Sequence, residues 1–328
     1  MGDVEVTIIV ACYNPNWEKL KKTIVSLVKQ KDLTTQIIVS DDGSKENHFE
    51  QLCQLFYLYN YKNFILLDAH ENQGTCLNIK KGIDKSCGEF IKIITPGDYL
   101  FSDSCLSEWY NFNKKNNIRV SFGDAVYYSE TDKGEVKFLS CLAAPQFVEL
   151  YNLERYSQKK VLLDYIFLND AVIGANFLVE SDTLRRYINS IAGKIKYAED
   201  MVFRMMLCDG IEIIHFPYEA IWYEYGTGIS TSGSLKWKQI IYNEKQVSNK
   251  LIINSLVKKK SLNSKRLVVG IKTISKRKYA MLKYLVFPEL ILMKISKDHK
   301  CRQTDTNYEL EQFINITQDS MEAINASN

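Results

Sequence analysis

The sequence lacks several motifs that define whole classes of protein. No glycine-rich phosphate loop of the GxGxxG or GxxxxGK[ST] type follows the first predicted strand, which argues against a dinucleotide-binding Rossmann enzyme and a P-loop enzyme. The eight cysteines include no CxxC pair and no histidine at zinc spacing, so we expect reduced thiols and no structural zinc. The acidic start of the chain has no signal-peptide pattern, and no apolar run reaches the ~20 residues of a membrane span. We therefore expect a cytoplasmic protein.

The charge of the chain is distributed unevenly. The formal net charge is +3, but residues 250–302 contain 15 Lys and Arg against only Glu289 and Asp298. The rest of the chain is therefore acidic overall. A segregated positive charge indicates an anionic partner for this segment.

The first hundred residues alternate between apolar strands and amphipathic helices. Strand-like apolar runs occupy residues 6–11, 36–40, 64–67 and 90–94, and helical periodicity covers 17–29 and 75–85. Such alternation predicts right-handed βαβ crossovers and an α/β fold with a mostly parallel sheet. Helices are also predicted at 181–191 and 199–208, whereas 142–170 has no clear pattern. We place a catalytic domain at residues 1–235 and a basic, mainly helical region at 236–328.

Polar residues follow the predicted strands at the edge where an open parallel sheet binds ligands. Tyr13 and Asn14 follow the first strand, Asp41 and Asp42 the second, and Asp98 the fourth. Each could instead make a turn or cap the next helix, but their convergence on one edge favours a binding site.

Several motifs in register resemble the family 2 glycosyltransferases, which have the GT-A fold. The opening strand VTIIVACYN (6–14), the segment IVSDDGS (38–44), and the segments NQG (72–74), KGI (81–83) and GEFI (88–91) match the family pattern. The resemblance covers residues 5–235 and implies an enzyme that transfers a sugar from a nucleotide-sugar donor. It is closest in type to enzymes that build bacterial surface polysaccharides.

The resemblance also implies the residues that bind a UDP-sugar. Asp42 of the DDGS motif would contact uracil and ribose, supported by Asp41 and Tyr13, because a carboxylate can accept the N3 proton of uracil. Lys80 could neutralise the diphosphate or could be an ordinary exposed lysine of a helix. The full predicted donor site comprises Tyr13, Asn14, Asp41, Asp42, Gly74, Lys80, Thr95 and Gly97.

The predicted metal motif departs from the family pattern. Family members usually have Asp-x-Asp-Asp after the fourth strand, whereas this chain has Thr95-Pro96-Gly97-Asp98. The resemblance assigns Asp98 as the ligand of Mg²⁺ or Mn²⁺, with diphosphate and water completing the coordination.

A second acidic motif is predicted to supply the catalytic base. Tyr197-Ala198-Glu199-Asp200 resembles the family's ED motif, whose acid deprotonates the acceptor hydroxyl during inversion at the anomeric carbon. We assign Asp200 as the base, with Glu199 in reserve. The alternative is that both acids merely stabilise a helix N-terminus. The aromatic segment Trp222-Tyr223-Glu224-Tyr225 could stack on a sugar or belong to the core.

The sequence therefore predicts an inverting transferase that moves one hexose or N-acetylhexosamine from a UDP-sugar to a hydroxyl of a lipid-linked surface glycan. A catalytically silent scaffold that binds nucleotide sugar or membrane is the alternative. Residues 258–302 combine lysines with apolar runs, which predicts peripheral binding to the anionic inner face of the cell membrane. A helical pair packed on the domain or on a second copy of the chain is the other interpretation. No motif supports nucleic-acid binding.

Overall fold

The computed structural model describes residues 3–131, 133–226, 234–299 and 302–319. Its strands are β1 (Val6–Cys12), β2 (Thr35–Asp41), β3 (Phe64–Leu67), β4 (Phe90–Ile94), β5 (Tyr99–Leu100), β6 (Val120–Glu130), β7 (Val136–Phe138), β8 (Phe177–Glu180) and β9 (Ile214–Glu224). Its helices are α1 (Trp17–Val28), α2 (Phe49–Leu58), α3 (Thr75–Lys85), α4 (Cys105–Asn116), α5 (Gln158–Leu163), α6 (Ser181–Ile191), α7 (Met201–Asp209), α8 (Leu235–Lys259), α9 (Leu262–Ser275), α10 (Lys283–Val286), α11 (Glu289–His299) and α12 (Leu310–Thr317).

The strands form one mixed sheet in the order β3-β2-β1-β4-β8-β6-β9-β5, and β7 pairs with β6. Strands β1 to β4 pair in parallel, so their carboxyl ends share one edge. Beyond β4 the sheet is mixed, because β8 is antiparallel to both of its neighbours whereas β6 and β9 are parallel. The predicted α/β fold is confirmed, but the sheet is more mixed than the sequence indicated.

The two central strands are apolar because they are covered on both faces. All seven residues of β1 and of β2 are buried, as expected for parallel strands between two layers of helices. Helix α1 covers one face with Leu20, Ile24 and Leu27, and its N-terminus is capped by the Asn16 side chain, which accepts from the Lys19 amide at 3.1 Å. Helix α3 covers the other face.

The segment without a clear sequence pattern is irregular in the structure as well. Between β7 and β8 the chain makes short 3₁₀ turns, helix α5, and a π-helical turn over Asp164–Leu168. The chain then forms one long strand, β9, which runs parallel to β6 across a bulge at Asp124. Glu199 and Asp200 precede α7 and are not part of it.

The C-terminal helices pack on the rest of the protein. Ile252, Leu256 and Ile271 are buried against Phe167 of the π-helical turn, and Phe287 and Leu290 complete this cluster. Residues 283–295 are therefore anchored to the rest of the protein by one face. Within the described residues we find no helix that is both long and apolar enough to cross a membrane.

Candidate functional site

The loops after β1 and β2 are tied together by their own side chains. Asp41 accepts two hydrogen bonds from Ser44, from its amide at 2.7 Å and its hydroxyl at 2.5 Å. The Ser44 hydroxyl oxygen accepts from the Asn14 amide, and the Asn14 side chain accepts from the Lys45 amide at 3.0 Å. Asn14 has a φ of 46°, a left-handed conformation that Asn tolerates. The two predicted site loops thus form one rigid rim, and Tyr13 lies on it with 54% of its surface exposed.

Asp42 fixes the start of helix α3. Its two oxygens accept from the amides of Gln73 and Gly74 at 2.9 and 2.8 Å, and the side chain is 3% exposed. Gly74 has a φ of 94°, and a Cβ there would lie 2.6 Å from the carbonyl oxygen of Lys196. Only glycine lets α3 approach this closely. Asp42 and Gly74 therefore join the rim of β2 to the segment that leads to Glu199 and Asp200.

The lysine that reaches the strand ends is Lys81. Its ammonium group donates to the Asp41 carbonyl oxygen at 2.8 Å. Burial lowers the pKa of Lys81, and the carboxylates of Asp42 and Asp41 oppose this shift. Lys80 instead forms an ion pair with Asp84, one helical turn away, at 2.5 Å. Sequence reasoning weighed Lys80 and missed Lys81 because helix phase could not be fixed to one residue.

Asp98 closes the turn after β4 and is almost completely buried. One oxygen accepts from the Thr95 hydroxyl at 2.8 Å and the other from the Glu224 amide at 3.3 Å. Burial raises the pKa of Asp98 to about 7. These two hydrogen bonds and the charge of Lys92 oppose this shift, whereas the charge of the Glu224 side chain adds to it. Gly97 has a φ of 102°, and a Cβ there would lie 2.5 Å from Glu224 Oε2. Glu224 in turn pairs with Lys19 at 2.5 Å.

Asp98 is the one predicted metal ligand, and each of its two oxygens accepts one hydrogen bond, from Thr95 or from the Glu224 amide. A carboxylate has about four lone-pair positions, so Asp98 fits Mg²⁺ or Mn²⁺ only if diphosphate and water supply most of the coordination. In the ranges that the structure describes, no three His, Cys, Asp or Glu side chains cluster as a metal site would require.

A small cavity is lined by residues at the end of β4 and by the predicted catalytic acids. It has a volume of about 40 Å³, and its lining includes Thr95, Glu199 and Asp200. Its walls are mainly apolar and include Ile93, Ala175, Phe177, Val202 and Phe203. The structure therefore brings the two acids and the residue after β4 to one cavity.

The acids bind protons more tightly than ordinary carboxyl groups. Burial raises the pKa of Glu199 to about 8, and the charge of Asp200 adds to the shift. Burial also raises the pKa of Asp200, although the charges of Arg204 and Lys245 oppose it. A carboxylate with raised proton affinity in an apolar cavity has the property required of a general base.

Glu244 of helix α8 holds the segment that precedes these acids. Its carboxylate accepts from the amides of Lys196, Tyr197 and Ala198 at 2.8–3.1 Å, and the side chain is buried. Sequence reasoning missed this residue because one glutamate in a long helix has no motif. The same reasoning left Trp222 open, and the structure buries it among Phe101, Phe138 and Tyr308 in the core.

Comparison with known proteins gives one family and one architecture. A family model described as "Glycosyl transferase family 2" matches residues 7–167, about half of the chain. The poly(ribitol-phosphate) beta-glucosyltransferase of Bacillus spizizenii is 28% identical over 123 residues, which are 37% of this chain. The aligned part spans only 19% of that relative.

The solved structures of S. aureus TarS share the fold. TarS 1–349 has a TM-score of 0.55 at 14% identity, covering 98% of this chain and 83% of that one. Its complex with UDP-GlcNAc has a TM-score of 0.54 at 12% identity, covering 98% and 92%. Its complex with UDP has a TM-score of 0.53 at 12% identity, covering 98% and 83%.

Proposed function

Because the chain belongs to glycosyltransferase family 2, we propose that it transfers a single hexose or N-acetylhexosamine from a UDP-sugar to a hydroxyl of a surface glycan, with inversion. The observation that carries this proposal is the cavity whose lining includes Glu199 and Asp200, two acids whose pKa is raised by burial. Two of the similar proteins support the reaction class, because one is named a glucosyltransferase and the other, TarS, has been solved in complex with UDP-GlcNAc.

The chemical step follows from this arrangement. The Asp200 carboxylate takes the proton of the acceptor hydroxyl while that oxygen forms a bond to the anomeric carbon. The bond from the anomeric carbon to the diphosphate breaks on the opposite side, and UDP leaves with its electron pair. Because a sugar hydroxyl is a poor nucleophile at neutral pH, proton removal is worth ~10²- to 10⁴-fold in rate.

The rim formed by the loops after β1 and β2 is proposed to bind the nucleotide. The exposed Tyr13 ring is available to stack on a base, and Asp41, Asp42 and Asn14 hold the loops in shape. Lys81 lies closer to these loops than Lys80 and is the better placed cation for a diphosphate. Thr95 and Gly97 border the donor from the turn after β4.

The test is sugar transfer by the full chain with a panel of UDP-sugars, using extracted lipid-linked glycans as acceptors and measuring released UDP and product. Asp200→Asn is expected to reduce transfer by at least ~10²-fold. Absence of hydrolysis and transfer with every donor would overturn the proposal. Reactions with Mg²⁺, with Mn²⁺ and with EDTA test the predicted cofactor. The test is needed because each oxygen of the Asp98 carboxylate already accepts one hydrogen bond.

Peripheral binding to an anionic membrane is proposed for the outer face of the C-terminal helices. Four large apolar side chains there are between 51% and 78% exposed: Met281, Leu285, Leu292 and Ile295. The exposed Lys278 and Lys294 lie among them in the chain. An apolar surface flanked by cations matches the interface of an anionic bilayer, where each lysine contributes about 1 kcal/mol. This location would place the enzyme at the cytoplasmic face, next to lipid-linked acceptors.

Co-sedimentation with phosphatidylglycerol vesicles tests the membrane proposal. The double variant Leu285→Glu/Leu292→Glu is expected to lose most vesicle binding, and salt should weaken binding of the unaltered protein. Leu235→Glu, at a residue 84% exposed at the start of α8, is the matched control. Equal sedimentation of both variants and the unaltered chain would contradict the proposal.

A further inference from the structure

Two lysine side chains converge on one short segment next to the catalytic acids. Lys245 of α8 donates to the Asn169 side-chain oxygen at 2.5 Å. Lys283, at the start of α10, donates to the Phe167 carbonyl oxygen at 2.6 Å. The two ammonium groups, from helices far apart in sequence, therefore bind positions only two residues apart on the same stretch of chain.

Neither cation has a carboxylate at ion-pair distance within the described residues, although the charge of Asp200 acts on Lys245 from further away. In the part of the chain that the structure describes, neither Lys245 nor Lys283 forms an ion pair with an acid, whereas Lys259 of the same helix α8 pairs with Asp209 at 2.8 Å. Burial lowers the pKa of Lys245 to about 8, and the charges of Arg204 and Lys283 add to this shift. Burial and the charge of Lys294 lower the pKa of Lys283. Partly buried cations that repel one another would be stabilised by a bound anion.

Their position relates them to the acceptor side of the reaction. Lys245 directly follows Glu244, whose carboxylate holds the amides of residues 196–198 just before the catalytic acids. The charge of Lys245 is close enough to Asp200 to lower the pKa of that acid. An anion bound by Lys245 would therefore lie next to the hydroxyl that Asp200 deprotonates.

We infer that Lys245 and Lys283 form a subsite for a phosphate group of the acceptor, so the acceptor carries a phosphate near the reacting hydroxyl. This inference rests on the proposed transferase function and specifies its acceptor. Phosphate is favoured over a carboxylate because it offers oxygens to both ammonium groups at once and carries more charge. The phosphate could belong to a lipid diphosphate that carries the glycan or to a phosphodiester polymer, and the chemistry of the subsite is the same for both.

The experiment compares charged and uncharged acceptors with variants of Lys283, because the charge of Lys245 also lowers the pKa of Asp200. The acceptors are a ribitol-phosphate oligomer, a polyprenyl-diphosphate-linked N-acetylglucosamine in detergent, and the uncharged octyl N-acetylglucosaminide. Lys283→Gln is expected to raise KM for at least one phosphate-containing acceptor about tenfold, with little change in kcat. Lys283→Arg should restore most of the loss, because it keeps the charge. Lys250→Gln, at an exposed lysine of the same helix as Lys245, is the control.

Binding measured by calorimetry without donor gives a readout that does not depend on turnover. The unaltered protein should bind the phosphate-containing acceptor, and the affinity should fall with salt and in Lys283→Gln. The acceptor that shows this effect identifies the source of the phosphate. If both phosphate-containing acceptors bind no better than the uncharged one, or if Lys283→Gln lowers Tm and weakens all acceptors equally, the inference is wrong and the lysines only cap the turn at 164–168. Loss of transfer with every acceptor would instead refute the proposed function.

Discussion

Most carboxylates at the candidate site are engaged by the protein itself. Asp41 holds Ser44, Asp42 holds the start of α3, and Asp98 holds Thr95 and the Glu224 amide. Glu199 and Asp200 have raised pKa values, as Asp98 does, but unlike Asp98 they line the cavity. At the scale of single residues, this contrast separates acids that shape the site from acids that can exchange a proton within it.

The two proposed catalytic acids predict a characteristic pH profile. A base must be deprotonated, so the raised pKa of Asp200 should make transfer fall on the acid side at a higher pH than an ordinary Asp would. The pKa of Glu199 is about 8, so Glu199 is uncharged over the range in which Asp200 takes up its proton. We therefore expect Glu199→Gln, which keeps that position uncharged, to leave the acid limb of kcat in place.

Measuring kcat from pH 5 to 9 for Glu199→Gln and for the exposed Glu212→Gln checks this prediction. Glu212→Gln should leave the profile unchanged. An acid limb that moves to lower pH in Glu199→Gln would show that Glu199 is ionised where Asp200 titrates, and complete loss of turnover would make Glu199 the base.

Asp98 should make the protein less stable as the pH rises. Its pKa is about 7 in the folded protein against an ordinary value near 4, so folding favours the protonated carboxyl group. The folded state therefore loses stability as the pH rises from about 4 to about 7. Asp98→Asn cannot ionise, and its free energy of unfolding relative to the unaltered protein should improve by about 2 kcal/mol between pH 5 and pH 8.

Urea denaturation at the two pH values measures this difference. Asp103→Asn, at an acid paired with Lys31 on the surface, serves as the control and should show no comparable change with pH. A constant difference for Asp98→Asn would mean that Asp98 is ionised throughout the range.

The elements differ in how far the sequence predicts them. Strands β1 and β2 and helix α1 carry strong apolar patterns because each buries a whole face, and their predicted bounds agree closely with the structure. The chain at 142–170 could not be assigned, because its short 3₁₀ and π turns depend on tertiary packing and have no period of their own. The motif acids were found by resemblance, whereas Glu244 depends on a contact across 46 residues or more.

Helix α8 should control catalysis through Glu244. Glu244→Gln removes the charge and leaves one oxygen to accept from three amides, so the segment before Glu199 should lose its fixed position. We expect kcat to fall at least tenfold, with a much smaller change in KM for the UDP-sugar. Because the charge of Glu244 raises the pKa of Asp200, the acid limb of the pH profile should also move to lower pH.

The exposed Glu50→Gln on α2 is the matched control for this variant. An equal loss of kcat and of thermal stability, with an unchanged pH profile, would indicate only a structural role for Glu244.

At the scale of the whole molecule, the positive and negative regions of the chain are folded together. The basic helices contribute Glu244 and Lys245 to the surroundings of the catalytic acids and bury Ile252, Leu256 and Ile271 against the π-helical turn. The sequence predicts a separate region from residue 236, because a segment rich in Gly, Ser and Thr precedes it and a basic segment follows. The charge pattern reflects the surface, and the packing is carried by apolar side chains that the lysines surround.

A chain truncated after Ser234 should therefore fail to fold, although the cut lies at the predicted boundary. It would expose Leu163, Ile166 and Phe167 and leave the buried Arg204 without Asn249, which accepts from it at 2.8 Å. Each apolar side chain lost from full burial costs roughly 1.5–3 kcal/mol, and several of them together exceed the ~5–15 kcal/mol stability of an ordinary domain. We expect a product that binds ANS and lacks a cooperative thermal transition, whereas a chain ending at Asp319 should melt like the full chain. Cooperative melting of the chain 1–234 at the Tm of the full protein would instead show that residues 236–328 are a separate unit and that Glu244 is dispensable for the shape of the site.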